Sequence, residues 1–165
     1  MKICQIVGYK NTGKTTVMGQ LIQHLTKQGF KVGALKHHGH GGEPAMATST
    51  DSYRHFTAGA SISAVEGAAN TELILPNIEL NEMVRLYASI GIDILLMEGF
   101  KHKNFPKIVL VKNKEDVSLV RNLSAVIAVG SWNKDVLADA DYPVFLIPNI
   151  ETQLDMLAKI INEGC

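Results

Sequence analysis

Apolar runs and helical stripes alternate along the chain almost from end to end. Ile3 to Val7 is a short apolar run closed by Gly8, the pattern of a strand buried on both faces. From Lys14 to Gln28 the apolar residues fall at Val17, Met18, Leu21, Ile22 and Leu25, one stripe of a helix that Gly29 ends. Lys31 to Lys36 reads as a second strand. The Gly/His/Ser/Thr-rich stretch from His37 to about Thr50 is too polar for a core, and its length marks it as functional or disordered.

Asp51 to Ala58 is predicted to form a short helix capped near Thr50 or Asp51. Ser61–Glu66 and Thr71–Leu75 flank Gly67-Ala68-Ala69-Asn70 and read as a hairpin. Leu80, Met83, Val84 and Tyr87 make another helical stripe that stops at Gly91. Strands are expected at Ile92–Met97, Lys107–Val111, Ala125–Val129 and Val144–Ile147, and a last helix carries Ile150, Leu154, Leu157 and Ile161. No linker or internal repeat interrupts the rhythm. It predicts one domain over residues 1–165, an α/β three-layer fold with a mostly parallel sheet and an inserted β-hairpin.

Composition narrows the partners. The chain has 165 residues, 46% of them hydrophobic and 19% charged, which is ordinary for a globular domain. Lys plus Arg and Asp plus Glu each total 16, so no global surplus of cation exists to clamp nucleic acid. Cys4 and Cys165 stand at opposite ends without metal-binding spacing, which favours a reducing compartment. The start of the chain lacks the apolar core of a signal peptide, and the richest apolar stretch, Ile90 to Met97, is too short to span a bilayer. A cytoplasmic protein, neither membrane-bound nor nucleic-acid-bound, is expected.

The chemistry concentrates in one segment. Gly8-Tyr9-Lys10-Asn11-Thr12-Gly13-Lys14-Thr15 matches G-x-x-x-x-G-K-[ST] between a buried strand and an amphipathic helix. Its glycines let consecutive backbone N–H groups face one anion, and the helix start adds unpaired donors and a positive dipole end. Lys14 is expected to reach the β- and γ-phosphates and the Thr15 hydroxyl to ligate Mg2+. In an open parallel sheet, ligands bind beyond the carboxyl ends of the strands. Glu98 sits at that end of its strand, whereas Asp93 opens it roughly 16 Å away. Glu98 is therefore the expected carboxylate on the Mg2+ side, and Asp93 a turn residue.

Two further loops emerge at the same end. Lys36-His37-His38-Gly39-His40-Gly41-Gly42 lacks the i, i+4 geometry of a zinc helix. It reads as a polar loop or as an anion-binding loop, with Asp51, Ser52 and Arg54 available to the same surface. Asn113-Lys114-Glu115-Asp116 has the N-K-x-D shape with which GTP-binding proteins read guanine, the Asp accepting from N1–H and the exocyclic amine. The same four residues also suit an exposed turn. Lys10, Lys14, Lys36, Lys101 and His102 all map to this end, a local cationic site inside a neutral chain.

Taken together, Gly8–Thr16, Lys36-His37, Asp51-Ser52-Tyr53, Ala58-Gly59-Ala60 and Glu98-Gly99-Phe100-Lys101-His102 resemble the MobB family of molybdopterin-guanine dinucleotide biosynthesis adaptors over nearly the whole chain. The E-G-F-K-H run with the spaced K-H and D-S-Y is its most specific part. The resemblance implies a GTP-binding protein of weak hydrolytic activity, usually a homodimer. It also implies a partner, the nucleotidyltransferase that attaches GMP to molybdopterin, with molybdopterin itself as a further ligand. On it, Gly8, Gly13, Lys14, Thr15 and Thr16 carry the phosphates and Glu98 the Mg2+ side; Asn11 and Thr12 of the same loop are further nucleotide-binding candidates, and the motif adds Thr15 to Glu98 as a Mg2+ ligand. Lys14 and Glu98 are the catalytic candidates. The family does not depend on an N-K-x-D element, so Asn113 and Asp116 stand outside the resemblance.

The same loop also serves small-metabolite kinases that use ATP or GTP. Such enzymes bring several arginines over both substrates, and this chain has only Arg54, Arg85 and Arg121. A third reading is a binding module in which nucleotide stabilises a dimer through the Ser61–Leu75 hairpin edge.

Overall fold

A computed structural model of the chain describes residues 1–38, 44–136 and 141–165. Gly39, His40, Gly41, Gly42 and Glu43 of the glycine-histidine loop lie outside the described residues. Two compact units are present, one of residues 1–39 and 87–165, the other of residues 40–86.

The larger unit is built on a six-stranded sheet in which every neighbouring pair is parallel. Its strands are β1 (Lys2–Gly8), β2 (Val32–Lys36), β5 (Ile94–Glu98), β6 (Lys107–Val111), β7 (Val126–Ser131) and β8 (Val144–Leu146), in the order β2-β5-β1-β6-β7-β8. Side chains alternate between the two faces of this sheet. Cys4, Ile6, Ile108 and Leu110 join one core with Val17, Met18, Leu21 and Leu25 of helix α1 (Lys14–Lys27) and Leu154, Leu157 and Ile161 of α5 (Leu154–Gly164). Val7, Val109, Val111 and Val129 join a second core with Leu119 and Val120 of α4 (Val117–Asn122). Helices thus cover both faces, as expected from strands apolar along their whole length. Full burial of each α1 stripe residue is worth about 1.5–3 kcal/mol, and this seats the helix with its N-terminus beside the end of β1.

The predicted α1 and β6 match the observed bounds within a residue, and β5 starts two residues late. Asp93 is the reason: its carboxylate accepts from the Lys31 N–H at 2.8 Å, so it tethers the entry to the strand instead of joining it. The periodicity misses α4, whose six residues are too few to display a helical repeat. The two cysteines, remote in sequence, come together: Cys165 packs on the core that contains Cys4. A hydrogen bond from Cys165 and full burial push the Cys4 thiol up.

The second unit contains α2 (Asp51–Thr57), the antiparallel hairpin β3 (Ser63–Glu66) and β4 (Thr71–Ile74), and most of α3 (Leu80–Ser89). Thr50 caps α2 as expected, its hydroxyl oxygen accepting from the Tyr53 N–H at 3.3 Å. The hairpin turn closes through Gly67 N–H to the Asn70 carbonyl at 2.8 Å. Ile62, Val65 and Leu73 stand exposed on or beside it.

Candidate functional site

The order of strands places the ends of β5, β1 and β6 side by side, with β1 in the centre. The chain leaves β1 for α1 and the outer strand β2, and later crosses from β5 past β1 to β6. That reversal creates the crevice in which open α/β sheets bind ligands.

Residues 8–13 turn from the end of β1 into α1. Two glycines are required there for different reasons. A Cβ on Gly8 would stand 2.5 Å from Thr12 Oγ1 and 2.8 Å from the Leu110 carbonyl, so the loop starts where no side chain fits. Gly13, at the N-cap of α1, has φ of 94°, a left-handed conformation that exposes the first helical N–H groups. Asn11 adds a second left-handed residue, with φ of 61°, a conformation Asn tolerates better than most residues. The loop is braced from within by Thr12, whose buried hydroxyl donates to the Tyr9 carbonyl at 3.0 Å.

Lys14 donates to the same Tyr9 carbonyl at 2.6 Å, holding its ammonium across the mouth of the loop. Burial pushes this ammonium below its ordinary pKa. Glu98 opposes the shift, while Lys101 and Lys36 add to it by repulsion. An anion of several charges placed among Lys14, Lys36 and Lys101 would relieve that repulsion.

Glu98 ends β5, nearly buried, beside the first turn of α1. One carboxylate oxygen accepts from Thr15 Oγ1 at 3.3 Å and the other lies 3.4 Å from Lys36 Nζ. A hydroxyl and a carboxylate converging at the helix start form the hard oxygen donor set that Mg2+ takes, with waters and phosphate oxygens completing its shell. These residues fit the ion. Thr16, next on α1, is exposed beside them.

The segment after Glu98 is held by a residue the sequence reading passed over. Phe100 sits at φ of 57°, a conformation that costs a bulky residue about 1–2 kcal/mol. Gln5, fully buried in β1, donates from Nε2 to the Phe100 carbonyl at 2.7 Å, and the Phe100 ring packs on His37 with centroids 4.9 Å apart. The His37 N–H in turn bonds to the Glu98 carbonyl at 3.0 Å. Lys101 Nζ then lies 4.5 Å from the centre of the Tyr9 ring. A lone Gln inside an apolar strand was the available signal. Trp132 was also passed over: its indole N–H donates to the Thr12 carbonyl at 3.0 Å.

Asn113 and Asp116 follow β6 in a turn bonded to itself. One Asp116 oxygen accepts from the Lys112 N–H at 2.8 Å, and the Asp116 N–H donates to Asn113 Oδ1 at 3.1 Å. Arg54 belongs to the second unit and pairs with Asp51 at 3.3 Å within α2. Among the described residues no group of three His, Cys, Asp or Glu is placed to hold a metal ion. No helix among them is long and apolar enough to cross a membrane.

Comparison with known proteins identifies the family and the fold. The family description "Molybdopterin guanine dinucleotide synthesis protein B" matches residues 3–132. A probable molybdopterin-guanine dinucleotide biosynthesis adapter protein of Bacillus subtilis is 37% identical over 145 residues, covering 87% of this chain and 84% of that one. The crystal structure of Bacillus subtilis MobB superposes with a TM-score of 0.82 at 33% identity, covering 97% of this chain and 98% of the other. A MobB homologue from Bacillus stearothermophilus gives a TM-score of 0.79 at 30% identity, with 99% of both chains covered. The hydrogenase maturation factor HypB of Archaeoglobus fulgidus, at 17% identity and a TM-score of 0.52, shares the fold alone. With the glycine-lined Gly8–Thr15 loop, a carboxylate meeting its threonine, and these relatives over most of its length, the chain belongs to the MobB family.

Proposed function

We propose that this chain is a cytoplasmic GTP-binding adapter of molybdopterin guanine dinucleotide synthesis that holds GTP with Mg2+ and assists the nucleotidyltransferase attaching GMP to molybdopterin. The observation that carries the nucleotide half is the convergence of Thr15 Oγ1 and Glu98 Oε2, 3.3 Å apart, at the mouth of the Gly8–Thr15 loop. In this reading Gly8, Asn11, Thr12, Gly13 and Thr16 supply the cradle, Lys14 meets the β- and γ-phosphates, and Thr15 and Glu98 hold Mg2+. The adapter half is supported by the names that the relatives carry.

Hydrolysis is slow in this reading. Lys14 and Glu98 are the only reactive groups assigned to it, and Arg54 is engaged by Asp51 within α2. The exposed Ile62, Val65 and Leu73 around the hairpin suit a homodimer contact. The dearth of arginines disfavours a kinase.

The adapter role is tested with purified transferase, molybdopterin and GTP. Adding the wild-type chain should raise the rate of dinucleotide formation, and adding a chain unable to bind triphosphate should not. Equal rates with and without the wild-type chain would remove the adapter role.

A further inference from the structure

We propose that Lys101 rests on the Tyr9 ring in the free chain and moves to the terminal phosphate when a nucleoside triphosphate binds, so that it tells triphosphate from diphosphate. This rests on the proposed triphosphate site. Lys101 belongs to the segment that crosses from β5 past β1 to β6, and it follows Glu98 by three positions. No helix or strand stiffens that segment, so its course depends on what fastens it from within.

Two buried polar side chains do so. Gln5 of β1 donates from Nε2 to the Phe100 carbonyl at 2.7 Å, with the Gly99 carbonyl at 3.4 Å. Lys107 of β6, paired in register with Gln5, donates to the Lys103 and Phe105 carbonyls at 2.6 and 2.8 Å. An amide and an ammonium shut away from water have no solvent partner to exchange for these bonds, which makes the ties firm. Lys101 lies between them.

From this tether the Lys101 ammonium stands 4.5 Å from the centre of the Tyr9 ring. Tyr9 belongs to the Gly8–Thr15 loop, where Thr12 and Lys14 both donate to its carbonyl and fix its backbone. Its ring is 45% exposed, and a cation on an exposed aromatic face is held weakly. A charge-assisted bond to a phosphate oxygen is stronger. Lys101 is also near enough to Lys14 to repel its ammonium, more than Lys36 does, so one anion can reach both.

Charge decides which phosphate Lys101 meets. A triphosphate carries about four negative charges, of which Mg2+ offsets about two. Lys36 and Glu98, 3.4 Å apart, cancel each other, and Lys14 supplies one positive charge. The remaining negative charge is left for Lys101. A diphosphate with Mg2+ and Lys14 is already neutral. Lys10 of the same loop is exposed and makes no hydrogen bond, ion pair or ring contact among the described residues, so nothing places its charge at the phosphates.

The test titrates wild type, Lys101→Met and Lys103→Met with GTP and with GDP, each with Mg2+. Methionine keeps most of the apolar stem and removes the charge, and the exposed Lys103 controls for charge lost elsewhere on the same segment. Lys101→Met should weaken GTP about 10- to 100-fold, the worth of a hydrogen bond to a charged group, and GDP by less than about threefold. Lys103→Met should keep the ratio of the two affinities within about threefold of wild type. Proton NMR of the wild-type chain reads the movement itself. Shielding by the Tyr9 ring should hold the Lys101 methylene signals upfield in the free chain and with GDP, and GTP should return them to ordinary positions. Equal losses for GTP and GDP in Lys101→Met, no loss in it, the same selectivity loss in Lys103→Met, or Lys101 signals that stay upfield with GTP would each overturn the assignment while leaving the Gly8–Thr15 site standing. Failure of the wild-type chain to bind either nucleotide would instead remove the triphosphate reading on which it rests.

Discussion

Lys14→Ala should abolish nucleoside triphosphate binding while the chain stays folded. Its ammonium is the cation placed across the loop mouth, with Lys36 and Lys101 nearby but Lys36 already paired to Glu98. Truncating one partner of a close charge pair costs about 2–5 kcal/mol, roughly 30- to 5000-fold in affinity. The fold should lose little, because Lys14 packs no core and its own charge is opposed by burial and by two neighbouring lysines. Calorimetric titration with GTP, alongside a thermal melt without nucleotide, separates the two effects. Binding within a few-fold of wild type would show that phosphate is held elsewhere.

Gly8→Ala should damage both stability and binding. The added Cβ meets the Thr12 hydroxyl at 2.5 Å, which can rotate only by giving up its bond to the Tyr9 carbonyl. It also meets the Leu110 carbonyl at 2.8 Å, and that atom belongs to a strand paired on both sides. Overpacking of this kind costs about 1–3 kcal/mol, and for a chain of this size each kcal/mol lowers the melting temperature by about 2–4 °C. A melt should therefore fall by roughly 2–12 °C, and GTP affinity should fall with it as the loop is pushed out of shape. A variant with unchanged melt and affinity would show that the loop start has slack the distances deny.

The parts of this protein that were legible in its sequence are those decided locally. A strand buried on both faces has to be apolar throughout, and a helix covering it has to carry a stripe, so Ile3–Val7 and Val17–Leu25 announce themselves. The Gly8–Thr15 loop is legible for a related reason: its two glycines and Lys14 answer to backbone geometry and charge within eight residues. Strand ends are decided by partners instead. β7 runs to Ser131 because Gly130 and Ser131 pair with Phe145 and Leu146 of β8, and nothing in the residues 125–131 declares that.

The residues passed over act across long separations. Gln5 holds the Phe100 carbonyl, 95 positions away, and Trp132 holds the Thr12 carbonyl, 120 positions away. Lys107 opens a predicted strand, and the sequence assigns its side chain no partner. It is fully buried at the start of β6, its ammonium donating to the Lys103 and Phe105 carbonyls at 2.6 and 2.8 Å. Cys4 and Cys165 likewise meet only because α5 returns along β1. Composition and periodicity carry no trace of such contacts.

The central claim, a site for GTP with Mg2+ on the Gly8–Thr16 loop, is tested most directly by calorimetric titration of the wild-type chain with GTP and with ATP. Each titration is run in Mg2+ and again in excess chelator. Binding is expected to be much tighter for GTP than for ATP and to weaken when Mg2+ is removed. Equal affinity for the two nucleotides, or GTP binding indifferent to Mg2+, would contradict it.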